Sequence, residues 1–160
     1  MNRFFESEGM MQTTTTTKTR GNSKAKGYNY YNQASGISTE AKDFIALRPS
    51  GAFSSSMTDM IKWDSIQLET NLLTKEDWRK MREDTVKAGK GVKGVTAYYG
   101  YGWFLQPYKQ HGLVHHGGNT PGFTSEYWKM PDDHLSIIIL TNANEINAND
   151  IAKNIHKVIY

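Results

Sequence analysis

The chain has 160 residues, the length of one ordinary domain, with 38% hydrophobic residues and a mean hydropathy of −0.64. Its 19 basic and 16 acidic residues leave a formal charge of +3, too mild and too dispersed for a nucleic-acid-binding surface. Cysteine is absent, which excludes disulfides, thiolate metal sites and a cysteine nucleophile, and no apolar run is long enough to span a bilayer.

Residues 1–11 carry Glu6 and Glu8 and have no apolar stretch, so they do not read as a signal peptide and give no compartment. Residues 12–43 are polar and low in aliphatics, and read as a long loop that Tyr28, Tyr30 and Tyr31 could anchor by packing. Ser56-Met57-Thr58-Asp59 has the form of a capping box, with Asp in the place of Glu or Gln. Met57, Met60, Ile61 and Trp63 follow at near-helical spacing, which predicts a helix to about Leu68. Thr74-Lys75-Glu76-Asp77 repeats the cap and opens a second helix, with Trp78 and Met81 on its apolar side. Gly89, Gly91 and Gly94 end it in what reads as a solvated loop with Lys87, Lys90 and Lys93.

The last third is strand-like. Tyr98 to Leu105 reads as an aromatic strand interrupted by Gly100 and Gly102, followed by candidates at Gly112 to Gly118, Phe123 to Met130 and Leu135 to Thr141. Pro131-Asp132-Asp133-His134 is a turn of hairpin length. Ile137, Ile138 and Ile139 run without alternation, which predicts a strand covered on both faces. Asn147 or Asn149 caps a final helix whose stripe is Ile151, Ala152, Ile155, Val158 and Ile159. The expected fold class is α+β: an antiparallel meander with flanking helices and a C-terminal helix packed on the sheet. Its parts are a polar loop region at 12–50, a helical region at 56–86, and the sheet plus last helix at 98–160.

Several segments, in order, carry a resemblance. They are Glu8-Gly9-Met10 with Thr13, Ala25-Lys26-Gly27-Tyr28, and Arg48-Pro49-Ser50-Gly51-Ala52-Phe53 with Ser55, Ser56, Asp59, Met60 and Trp63. Tyr99-Gly100-Tyr101-Gly102-Trp103, His116-Gly117-Gly118-Asn119-Thr120-Pro121-Gly122-Phe123, and Pro131 with Leu140-Thr141-Asn142 complete the set. Together they resemble the C-terminal half of the beta-lactamase-related serine hydrolases, which include class C beta-lactamases, penicillin-binding proteins and esterases. The resemblance implies a partial beta-lactamase/transpeptidase-like fold, with residues 1–160 as the C-terminal portion of one serine-hydrolase domain. Such enzymes cleave or transfer amide and ester bonds, need no cofactor and are often periplasmic or extracellular.

The family uses a Ser-x-x-Lys, a Tyr-x-Asn and a Lys/His-x-Gly edge strand. The third is here His116-Gly117-Gly118. By this resemblance His116 is the catalytic-site residue, donating to a substrate carboxylate or to the tyrosine oxygen. Gly117 and Gly118 let a substrate lie against the strand, and the Asn119 N–H serves the oxyanion. Ser23-Lys24-Ala25-Lys26 and Tyr30-Tyr31-Asn32 match the other two motifs in letters only. They lie in a polar loop, a few residues apart, after the Glu8-Gly9-Met10 segment that the family's true motifs precede, so they read as decoys. A serine must be activated by a neighbouring base. A chain with the third motif alone is therefore expected to be a fragment, inactive by itself.

Two other readings stand beside it: a non-catalytic module that binds peptide, peptidoglycan or beta-lactam, and a pseudo-enzyme half completed by a partner chain through an exposed sheet edge. A metal site is not expected. His111 and His115 have a helical ligand spacing, but Gly112, Gly117 and Gly118 argue for a strand. Gly89 to Gly94 lacks the Gly-Lys-Ser/Thr ending of a phosphate loop.

Overall fold

The computed structural model describes residues 2–14, 25–32, 37–40, 51, 53–69, 73–83 and 85–160. Ser23, Lys24, Arg48 and Pro49 lie outside them, so the first decoy motif and part of the Pro-Ser-Gly segment have no structural description. The elements in order are α1 (Asn2–Ser7), β1 (Tyr28–Asn32), β2 (Ile37–Glu40), α2 (Met57–Glu69), α3 (Lys75–Glu83), β3 (Val86–Lys90), β4 (Thr96–Gly100), β5 (Trp103–Tyr108), β6 (His111–Thr120), β7 (Phe123–Met130), β8 (Leu135–Thr141) and α4 (Ala148–Ile159). Strands β3 to β8 form one antiparallel sheet in sequence order, and β1 pairs with β2 in a separate hairpin. The α+β meander with a C-terminal helix on the sheet is the architecture the sequence predicts. No helix among the described residues is long and apolar enough to cross a membrane.

Four local expectations change. The polar stretch expected as one loop contains the β1–β2 hairpin, joined to the main sheet's end where the Tyr28 N–H donates to the Asn142 carbonyl at 2.9 Å. Backbone pairing, rather than apolar patterning, makes those strands, and that leaves no periodic trace. The lysine-glycine stretch becomes the edge strand β3 and a 3-10 turn at Val92–Gly94, so α3 stops at Glu83, short of the helical region expected to reach 86. The turn is pinned by Gln106, 5% exposed, whose Oε1 accepts from the Val92 N–H at 2.9 Å. An exposed edge with Lys87 and Lys90 is poorly suited to pairing with another chain. The single aromatic strand at 98–105 is instead a hairpin, β4–β5, turning at Tyr101 (φ 50°) and Gly102 (φ 84°). Two successive positive φ values suit the right-handed twist of the flanking strands.

The fourth change concerns α4. Asn147 caps it, its Oδ1 accepting from the Asp150 N–H at 3.2 Å. The helix presents Ala148, Ala152 and His156 to the sheet, while Ile151, Ile155, Val158 and Ile159 stay exposed. The apolar arc is wider than the sheet can cover, and the small residues let the helix approach closely. The core lies between α4 and the sheet: Tyr108, Leu113, Trp128, Met130 and Ile137 pack with Ala152. Each such large apolar side chain contributes roughly 1.5–3 kcal/mol on burial. Leu135, Ile137 and Ile139 share the α4 face of β8, and Ser136 faces α2, so both faces of that strand do meet a helix.

On the other face, α2 is held by polar links. The Ser56 Oγ accepts from the Asp59 N–H at 3.2 Å, which is half of the expected capping box. The Asp59 carboxylate turns instead to the N-terminal segment, accepting from the Gln12 N–H and the Thr13 Oγ1, each at 2.8 Å. At α3 the box is complete: Thr74 and Asp77 each accept from the other's backbone N–H, at 3.1 and 2.9 Å.

Candidate active site

The His-Gly-Gly-Asn stretch lies on β6. Thr120 and Phe123 close the β6–β7 hairpin over Pro121-Gly122. Pro at the first turn position and Gly122 at φ 83° are what a type II turn requires. A two-residue turn makes Thr120–Phe123 a hydrogen-bonded pair, and pairing then alternates along β6. Gly117 and Asn119 therefore aim their backbone N–H and C=O away from β7. At Tyr108–His111 the same rule turns His115 toward β5, opposite Phe104. There β5 runs out, because it begins at Trp103. Residues 116–120 thus pair on one side only, and the amides of Gly117 and Asn119 face an open edge.

His116 lies along that edge. Its Nδ1 is 2.6 Å from the Gly117 carbonyl oxygen, and its Nε2 is 3.2 Å from the Tyr99 hydroxyl. Nδ1–H donates to the carbonyl, so the neutral ring accepts the Tyr99 O–H at Nε2. The ring also rests on Phe104, with centroids 5.5 Å apart. Tyr99, from the Tyr-Gly-Tyr-Gly-Trp segment, thus joins His116, although the sequence marks it only as part of a motif. Its place becomes visible only when β4 reaches across the end of β5.

The two faces of β6 differ. His115, Gly117 and Asn119 share the α4 face with Trp128, Glu126 and Thr124, while His116 and Gly118 share the α2 face with Tyr127 and Ser125. The glycine at 117 has a structural cause: a Cβ there would stand 2.5 Å from the Glu126 Oε2. Glu126 is 6% exposed, and its Oε1 accepts from His115 Nδ1–H at 2.9 Å and Trp128 Nε1–H at 3.1 Å. No sequence pattern pointed to Glu126, since a lone acidic residue on a strand carries no signal. On the α2 face the Tyr127 hydroxyl donates to Asp64, which also accepts from Lys129 at 2.9 Å and Ser136 at 2.7 Å. Burial and the Asp64 charge hold the Tyr127 phenol far above its ordinary value, so it stays protonated.

The segments that carry the resemblance meet in space. Thr13 bonds to Ser55 and Asp59, and Phe4 packs edge-on to Trp63. Gly27 fits under the β6–β7 turn, where a Cβ would stand 2.4 Å from the Phe123 ring and 2.9 Å from the Gly122 carbonyl oxygen. Asn142 Nδ2 donates to the Lys26 carbonyl at 3.0 Å. The Ala-Lys-Gly-Tyr segment, the Thr-Pro-Gly-Phe turn and the Leu-Thr-Asn end of β8 therefore form one rim. Of the second decoy, the backbone of Tyr30-Tyr31-Asn32 lies in β1. No cluster of potential metal ligands occurs among the described residues.

The meander sheet with a C-terminal helix behind it is the fold of a class, the beta-lactamase-related serine hydrolases. The chain belongs to the Beta-lactamase family, whose match covers residues 3–159. It is 25% identical over 100 residues to penicillin-binding protein 4* of Bacillus subtilis (strain 168), a match to 62% of this chain and 21% of that protein. It also resembles the octameric penicillin-binding protein homologue from Pyrococcus abyssi, with a TM-score of 0.80 and 20% identity, a likeness of fold. That match covers 97% of this chain and 35% of the other. The chain thus spans about a fifth of one relative and a third of the other.

Proposed function

We propose that this chain is the C-terminal portion of a single serine-hydrolase domain and forms one wall of an acyl-transfer site for amide or ester bonds. The supporting observation is that β6 outruns β5, which leaves the Gly117 and Asn119 amides on an open edge beside His116. The Asn119 N–H serves a developing oxyanion, a donor of a kind worth about 2.7–4 kcal/mol in the transition state. Gly117 and Gly118 admit the substrate chain to the edge. His116 points its Nε2 at the Tyr99 hydroxyl. On this reading a substrate carboxylate is held by donation from His116.

On this reading the nucleophile, its lysine and the Tyr-x-Asn lie outside the residues of this chain. Without a serine the wall retains little of the rate acceleration. Incubation with a chromogenic beta-lactam or a p-nitrophenyl ester is expected to give neither turnover nor a burst. A stoichiometric burst of acylation, abolished in Ser23→Ala, would overturn this reading. An in-frame Ser-x-x-Lys and Tyr-x-Asn in the DNA upstream of Met1 would support it.

A further inference from the structure

His116 is exposed, and a side chain in such a place is ordinarily free to change rotamer. Here both ring nitrogens are engaged. The bond from Nδ1 to the Gly117 carbonyl oxygen, at 2.6 Å, joins neighbouring residues and ties no strand to another. The bond between Nε2 and the Tyr99 hydroxyl, at 3.2 Å, comes from β4, two strands away in the sheet. Tyr99 reaches it because β5 begins at Trp103 and its pairing with β6 starts at Phe104–His115.

Tyr99 is itself held. It is half-buried, and its backbone pairs with Val86 on β3 and Phe104 on β5. Its ring meets Phe104 edge-on, with centroids 4.6 Å apart, and Phe104 lies 5.5 Å from the His116 ring. Three rings thus form one packed corner at the end of the open edge, and the Tyr99 hydroxyl is aimed into it. A polar group locked by packing on a strand is what precise placement of a neighbouring side chain requires.

The hydroxyl differs in kind from the Gly117 carbonyl. It donates to Nε2 of the neutral ring and accepts from Nε2–H of the charged one, so it holds the ring in one place in both states. The carbonyl only accepts, which puts the single hydrogen of the neutral ring on Nδ1. A free imidazole side chain in water favours the opposite form, with the hydrogen on Nε2. Keeping the less favoured tautomer calls for a donor at Nε2, and Tyr99 supplies it.

We propose that Tyr99 is the positioning residue of His116: its hydroxyl orients the imidazole along the open edge and fixes the tautomer. The purpose, presenting the ring to a substrate, rests on the acyl-transfer reading; the positioning itself does not.

The test is the imidazole nitrogen NMR spectrum of the chain at about pH 9, where an ordinary imidazole is neutral. His116→Gln assigns the signals. The native chain is expected to show the Nδ1–H form. In Tyr99→Phe, which keeps the ring against Phe104, the Nε2–H form should gain about three- to tenfold, the weight of one hydrogen bond. In Phe104→Leu, which keeps the hydroxyl, the ratio should hold. A native ring in the Nε2–H form would overturn the proposal whether or not Tyr99→Phe folds. So would an unchanged ratio in folded Tyr99→Phe, or the same gain in Phe104→Leu. Any of these leaves the acyl-transfer reading standing, whereas an acylation burst would end that reading without touching the tautomer.

Discussion

Gly117 illustrates how one position serves two surfaces of the same strand. Its amide faces the open edge, and the space where a Cβ would stand is occupied by the Glu126 Oε2 at 2.5 Å. Glu126 cannot retreat freely, because its other oxygen is held by His115 and Trp128. Gly117→Ala is therefore expected to destabilise the fold by about 1–3 kcal/mol, as overpacking does, measurable by urea unfolding. Gly118→Ala meets only the Ser125 Oγ, at 2.9 Å, a side chain that can rotate. It should cost clearly less, and equal losses in the two variants would remove Glu126 as the cause. The sequence marks both glycines alike, since the difference lies in a residue on the neighbouring strand.

At the scale of elements, two helices are fastened to the sheet by titrating groups. For α2 the group is Asp64. Burial raises its pKa, but hydrogen bonds from Tyr127, Lys129 and Ser136, with the Lys129 charge, outweigh this and leave it below the ordinary 3.8. A carboxylate with a depressed folded pKa stabilises the protein above the ordinary value, and the gain is lost as pH falls through the folded one. Acid titration of stability should therefore steepen below about pH 4. Asp64→Asn should flatten that limb; an unchanged acid limb would show that Asp64 does not carry it.

For α4 the group is His156, which has 0% exposure and no partner at either ring nitrogen. Burial, then the nearby Lys109 and His111, lower its pKa from the ordinary 6.5, against the opposing pull of Asp133. It is held neutral among Tyr108, Trp128, His111 and Tyr160. Below its ordinary value the unfolded chain binds the proton more readily, so stability falls with pH from about 6.5 downward. His156→Phe should remove this slope in thermal melts between pH 7 and 5. These two effects have the same sign, and the His156 loss sets in at the higher pH, so each variant reports on its own helix. The capped start of α4 was legible because Asn147 and the 3.6-residue stripe are local signals. Which part of that stripe meets the sheet was not legible, because apolar identity does not say where the neighbouring surface ends.

At the scale of the whole molecule, the exposed Ile151, Ile155, Val158 and Ile159 form one apolar row on α4. A row of this kind, with an open sheet edge elsewhere, favours association with another chain. Sedimentation is expected to show concentration-dependent association that Val158→Lys, at a position already 87% exposed, reduces. A monomer at high concentration would count against it.

The sequence by itself determined the class, the order of strands β6 to β8, the cap of α3, the presence of α4, and the strand bearing His116, Gly117 and Gly118. All of these rest on local periodicity, turn residues or motif order. Only the tertiary structure decided that 101–102 is a turn, that residues 28–40 pair as a hairpin, and that β5 ends short of β6. It also placed Tyr99 beside His116 and Glu126 beneath Gly117. The physical reason is that an open edge and a buried carboxylate are relations between strands, fixed by register, whereas the sequence records only what each strand is made of.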